Sequence, residues 1–159
     1  MKATMTSRRQ LHRLSLAALT LVAGTLALSG CGSMMMGSTN MVALSTQLRG
    51  ANEVPPKAGP GSGSVDAMFN KDTRQLRWKL NYAGLSGPAT AGHFHGPADA
   101  GANAGVALGW TNPITSPYEG SATLTPAQAA DLMAGKWYAN VHTAANPGGE
   151  IRGQMAVVK

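Results

Sequence analysis

Cysteine is almost absent from this chain of 159 residues: Cys31 is the only one, so neither an intramolecular disulfide nor a multi-thiolate metal site can form. Aromatic residues make up 5% and charged residues 13%, and no acid precedes Glu53. The formal charge of +6 looks like a nucleic-acid signature until it is divided along the chain. Lys2, Arg8, Arg9 and Arg13 fall in the first 30 residues, leaving nine basic against seven acidic residues from Cys31 onward. That remainder has no Lys/Arg stripe, which argues against nucleic acid as a partner. Also missing are a nucleophilic Cys outside the N-terminal segment, a phosphate-cradling Gly loop with Lys, closely paired carboxylates and a Ser in a glycine elbow, so hydrolase chemistry has no foothold. The one long apolar run, Leu14 to Ser29, is 16 residues with two Thr and a Gly inside it, short for a bilayer span.

What is there begins with an export pattern. A basic start, that apolar run and small residues before Cys31 read as a signal peptide over 1–30. Leu28-Ser29-Gly30-Cys31 resembles the bacterial lipobox, in which the Cys becomes the acylated N-terminus. The expectation is an extracytoplasmic protein, lipid-anchored through Cys31 to the cell envelope. Gly32 in place of Asp favours the periplasmic face of the outer membrane in a diderm source. Ser7-Arg8-Arg9-Gln10-Leu11 resembles a twin-arginine signal, with His12 departing from the usual apolar residue; the ordinary Sec route stays open beside it. Residues 31–41, with Met34, Met35, Met36 and Met41, form a small-residue tether whose thioethers suit Cu(I).

From Val42 the pattern becomes short alternating runs between Gly/Pro turns, one domain over 42–159. Strands are expected at Val42 to Arg49, Gly63 to Phe69, Gln75 to Tyr82, Ala89 to His95, Gly105 to Trp110, Glu119 to Leu124, Lys136 to His142 and Glu150 to Val157. In Gln75 to Tyr82, Leu76, Trp78, Leu80 and Tyr82 alternate with Arg77, Lys79 and Asn81, so one face is core and the other wet. Thr125 to Gly135 carries an N-cap, Pro at the first helical position and a terminal Gly: one short crossover helix. The fold class is all-β, a Greek-key-like antiparallel β-sandwich of about eight strands with that helix.

Three histidines remain beyond the signal. His93 and His95, two apart on a strand, share a face, and His142 ends another strand. Three imidazoles converging on one point suit copper, with zinc as runner-up. Asp99 and Glu150 are candidate acceptors for the outer imidazole N–H groups, or a fourth ligand. The plainer reading is that all three histidines are hydrogen-bonded rim residues.

Four segments carry a family resemblance: Leu48-Arg49-Gly50-Ala51-Asn52-Glu53-Val54-Pro55-Pro56, Gly92-His93-Phe94-His95-Gly96-Pro97-Ala98, Trp137-Tyr138-Ala139-Asn140-Val141-His142-Thr143 and Asn146-Pro147-Gly148-Gly149-Glu150-Ile151-Arg152-Gly153-Gln154. Together, over about Val42 to Val158, they resemble the CHRD domain, named after the repeats of chordin. The resemblance implies an exported all-β domain with binding or scaffolding roles, and it does not by itself imply an enzyme. Gly92-His93-Phe94-His95 is also similar, more weakly, to the copper strand of Cu/Zn superoxide dismutases, and Gly148 to Arg152 is loosely similar to the loop that bears their anion-guiding arginine. There is no disulfide pair, no zinc subsite and one His too few, which excludes a zinc-bearing dismutase. That similarity implies a copper-only site with Arg152 guiding superoxide, if Arg152 faces the opening. Two functions are therefore expected in competition. One is an envelope-anchored copper-binding domain for metal handling or dismutase-like redox chemistry; the other is a metal-free module that binds a protein or envelope partner.

Overall fold

The computed structural model describes residues 40–159. The expected signal peptide, Cys31 and Met34 to Met36 lie outside the described residues.

Nine strands and one α-helix follow in the order β1 (Met41–Arg49), β2 (Ser62–Asn70), β3 (Gln75–Ala83), β4 (Ala89–His95), β5 (Val106–Gly109), β6 (Tyr118–Thr123), α1 (Pro126–Met133), β7 (Tyr138–Thr143), β8 (Ile151–Gln154) and β9 (Ala156–Val157). The main sheet runs β5-β4-β7-β8-β1-β2-β3-β6, every pairing antiparallel, with β9 added to β1. β3 and β4 stand near opposite ends of this order, yet Trp78 of β3 meets Phe94 of β4 edge-on at 5.2 Å between ring centres. The sheet therefore curls over on itself, and its halves face each other as the two layers of an all-β sandwich. The β3–β4, β5–β6 and β6–β7 connections each cross between halves, the Greek-key-like feature expected from the sequence.

Alternation builds the core. Leu44 and Leu48 of β1, Val65, Ala67 and Phe69 of β2, and Leu76, Trp78 and Leu80 of β3 are all inward and buried. Phe94 anchors the other layer, with Trp110 and Trp137 at ring-centre distances of 5.0 and 5.7 Å. Glycines within two strands make room for these rings. A Cβ on Gly92 would overlap Trp110, and one on Gly120 would overlap Trp78. The helix forms where its caps predict: Thr125 Oγ1 accepts from the Gln128 N–H, and the Gln128 side chain accepts from the Thr125 N–H. The Gln128 amide also donates to the Ala107 carbonyl at 2.9 Å, docking the helix on β5.

One expected strand divides. Met155, 1% exposed, turns into the core and its N–H bonds the Trp137 carbonyl, so Glu150 to Val157 becomes β8 beside β7 and β9 beside β1. Among the described residues no helix is long and apolar enough to cross a membrane.

Candidate metal centre

Phe94 points into the core, so its neighbours His93 and His95 leave β4 on the opposite face. On β7, His142 pairs with Ala91 and Asn140 pairs with His93, which sets His142 diagonally across from His93 on that same outer face. The pairing with β5 shifts register between Phe94 and His95, an irregularity at the second histidine. Outer faces of sandwiches are ordinarily wet, but every residue of β7 is buried, because the loops at 96–105 and 144–150 fold over it. Tyr138, Asn140, His142 and Arg152 thus form a polar layer under those loops.

Each of the three histidines offers a nitrogen within 4.8 Å of the others. His95 Nδ1 lies 3.0 Å from the Ala104 carbonyl, and His142 Nδ1 lies 3.0 Å from the Pro147 carbonyl. A carbonyl oxygen only accepts, so both Nδ1 atoms donate and both Nε2 atoms carry lone pairs. The Nε2 of His142 is met by His93 Nδ1 at 3.0 Å; since Nε2 accepts, His93 donates. The Nε2 of His95 is buried and has no hydrogen-bond partner. Burial lowers the pKa of all three imidazoles below the ordinary 6.5, with the neighbouring histidines adding to the effect at His93. The cluster is therefore neutral at physiological pH, the form that ligates metals.

The two carbonyls are held in place by separate latches. Tyr138 lies opposite His95 in register and stacks on its ring, 4.9 Å between centres and 3° from parallel. Its hydroxyl bonds both the N–H and the carbonyl of Ala104, at 3.1 and 3.3 Å. The Arg152 guanidinium sits 3.5 Å above the Tyr138 ring, donates to Asn103 Oδ1 at 2.8 Å and donates to the Ala102 carbonyl. On the other side the Glu150 carboxylate accepts from the Ser86 N–H at 2.7 Å, the Ser86 hydroxyl at 2.6 Å, the Thr143 hydroxyl at 2.5 Å and the Asn146 amide at 3.1 Å. Burial raises the pKa of Glu150, but hydrogen bonds from Ser86, Thr143 and Asn146 outweigh it and hold the carboxyl below 4.5. A further carboxylate, Glu53, accepts from Asn140 Nδ2 at 2.6 Å, and burial raises its pKa.

The sequence-derived site is thus brought together in part. His93, His95 and His142 converge. Asp99 and Glu150 are not the acceptors of the imidazole N–H groups: Asp99 is an exposed partner of Lys136 at 2.5 Å, and Glu150 is saturated by the Ser86–Thr143–Asn146 latch. Backbone carbonyls take that place, because the covering loops bring them within hydrogen-bond reach of the ring N–H groups. Arg152 is 2% exposed, with its donors turned to the 102–103 backbone and side chain rather than to an opening. Sequence reasoning passed over Tyr138, whose alternation with His142 on one strand places both on the same face; the carbonyls of Ala104 and Pro147 left no trace in residue type.

No curated protein and no solved structure matches the chain. The profile of the CHRD domain matches residues 44–155, a span that takes in most of β1, all of β2 through β8, all three histidines and both latches. On that match over most of its length, the chain belongs to the CHRD domain family.

Proposed function

We propose that this CHRD domain binds one transition-metal ion through His93, His95 and His142, copper first and zinc second. The observation that carries the reading is the fit of the donor set. Two imidazoles have their outer nitrogens tied to carbonyls and their Nε2 lone pairs released inward, one of those lone pairs is buried with no donor, and the third ring stands within reach. That is the outer-partner arrangement that orients ligating histidines. Nitrogen ligands without thiolate favour copper or zinc over softer or harder demands. The ion would supply a Lewis-acid or one-electron centre; the protein supplies neutral ligands, a covered face and a fixed orientation.

Metal holding is favoured over dismutase-like turnover. An anion-guiding arginine has to face the opening, and Arg152 uses its charge to hold the 99–104 loop over His95. Together with the resemblance of Leu28 to Cys31 to a lipobox, the proposal is of a metal held in the cell envelope, where the domain takes up or stores an ion. Metal-free docking of an envelope protein is the competing function.

The test is metal analysis and Cu(II) and Zn(II) titration of the full chain in detergent, beside a variant with His93, His95 and His142 all changed to Ala. One equivalent bound by the wild type and lost from the folded variant is expected. No stoichiometric metal in either protein, under conditions where both are folded, refutes the site and leaves the docking module.

A further inference from the structure

The three histidines are not held alike. His95 and His142 are each fixed by an Nδ1–H donated to a backbone carbonyl, and each carbonyl belongs to a latched loop. His93 has no such anchor: its one hydrogen bond among the described residues goes to His142 Nε2, a lone pair that an ion would use. The ring spacing differs in the same sense. His93 and His142 are 4.8 Å apart between centres, in direct hydrogen bond, while the two anchored rings His95 and His142 are 6.0 Å apart, the widest gap of the three. An ion ~2.0 Å from each of two ring nitrogens holds the ring centres farther apart than a direct hydrogen bond does, so the widest pair is the one that leaves most space for an ion. A cation at the His142 lone pair displaces the His93 N–H, and His93 is then released either to stay aside or, once Nδ1 gives its proton to solvent and Nε2 takes one up, to join the ion through Nδ1.

Resting on the metal-binding reading above, we infer that His95 and His142 form a fixed two-imidazole seat and that His93 is a movable third ligand which sets the valence and identity of the ion held. Cu(I), a closed-shell d10 ion, is satisfied by two nitrogen ligands. Cu(II) and Zn(II) require four or more donors and gain from every added imidazole. The seat alone therefore serves Cu(I), and recruitment of His93 is what retains Cu(II) or Zn(II). The domain would accept copper in either oxidation state with one ligand changing place, a property suited to passing copper on rather than locking it in.

The deciding experiment compares the full-length wild type, His93→Ala, His93→Asn and His142→Ala. Cu(I) affinity is measured by competition with a chromophoric chelator under reducing, anaerobic conditions, and Zn(II) and Cu(II) affinities by competition in air. For both His93 variants we expect Cu(I) affinity within about 10-fold of wild type and Zn(II) and Cu(II) affinity lowered at least about 100-fold, whereas His142→Ala loses all three. Circular dichroism identical to wild type confirms the fold; His93 is partly exposed, and Asn keeps a hydrogen-bond donor for His142. Parallel losses of Cu(I) and Zn(II) in the His93 variants overturn the movable-ligand inference while leaving the metal site standing. A wild type that binds none of the three ions overturns both.

Discussion

Replacing Glu150 by Gln tests the latch that sets the position of His142. Glu150 Oε1 accepts from the Ser86 N–H, and Oε2 accepts from the Ser86 and Thr143 hydroxyls and from the Asn146 amide. A backbone N–H cannot reverse, so the new NH2 must take the Oε2 side. There the two hydroxyls can rotate to become acceptors, but the Asn146 NH2 meets another donor and its bond is lost. The remaining bonds change from charge-assisted to neutral, a difference of about 1 kcal/mol each, so the expected destabilisation is roughly 2–4 kcal/mol. For a domain of this size that lowers Tm by about 10–15 °C at neutral pH. The sign of the pH dependence is specific. The folded pKa of Glu150 lies below its unfolded 4.5, so its contribution is full above 4.5 and disappears as pH falls through the folded value. The wild-type and Glu150→Gln melting curves, followed by circular dichroism, therefore begin to converge as the pH falls below 4.5 and meet once it has passed the lowered folded value. The same variant frees the loop that carries the Pro147 carbonyl, and metal affinity falls about 10- to 100-fold. A Tm within about 2 °C of wild type, or a gap that persists undiminished into acid, refutes the reasoning.

Three further outcomes follow from the geometry. Gly92→Ala places a methyl group inside the Trp110 ring and costs about 1–3 kcal/mol by overpacking, read as a lowered midpoint in urea at unchanged slope. The unloaded domain loses stability as pH falls below about 6.5, because the unfolded chain takes up protons that the buried imidazoles of His93, His95 and His142 refuse; the loss levels off below the folded pKa values, and changing all three to Ala flattens the slope in this window. Arg152→Lys keeps the charge but loses the planar fork over Tyr138 and the paired reach to Asn103 and the Ala102 carbonyl. Metal affinity is expected to fall about 10-fold, and the His95 ring NMR signals to broaden while those of His142 hold.

Much of this was legible in residue pattern because the strands obey strict period-two alternation. Leu76, Trp78 and Leu80 against Arg77 and Lys79 announce both the strand and its inner face, and β4 begins and ends where its pattern says. The shared face of His93 and His95 was legible too, since i, i+2 spacing fixes a face. What escaped is whatever depends on loops lying over an outer face. The alternation of β7 marks Tyr138, Asn140 and His142 as a wet side; only the 96–105 and 144–150 segments turn it into an interior. For the same reason Arg152 and Glu150 looked available for the site, whereas covering loops needed them as anchors. Backbone acceptors carry no side-chain signature, so the carbonyls of Ala104 and Pro147 could not be assigned from residue type.

The polar layer supports the proposal that the histidine cluster holds a ligand rather than serving as hydrogen-bonded filler. Beneath the loops the fold matches its buried polar groups with care: Asn140 donates to Glu53 and the Ile151 carbonyl, Arg152 to Asn103 and the Ala102 carbonyl, and Thr143 to Glu150. Against that background the buried side-chain atoms left without partners among the described residues are few: the indole N–H groups of Trp78, Trp110 and Trp137, the Gln154 Oε1 and the His95 Nε2. The indoles are donors set in the aromatic core, where no cation can use them, and the Gln154 amide is already fixed by two donated bonds. His95 Nε2 alone is a nitrogen lone pair, and it lies in the one grouping of three metal-capable side chains found among the described residues. Leaving a buried acceptor unmet costs about 1–3 kcal/mol, and a single hydroxyl nearby would have removed the cost. In its place stand two more imidazoles, which cannot supply a proton to it without giving up their own carbonyl or lone-pair partners. A metal ion would satisfy His95 Nε2 and His142 Nε2 at once and leave both outer hydrogen bonds intact, and on this the proposal of a metal site over a metal-free docking module rests.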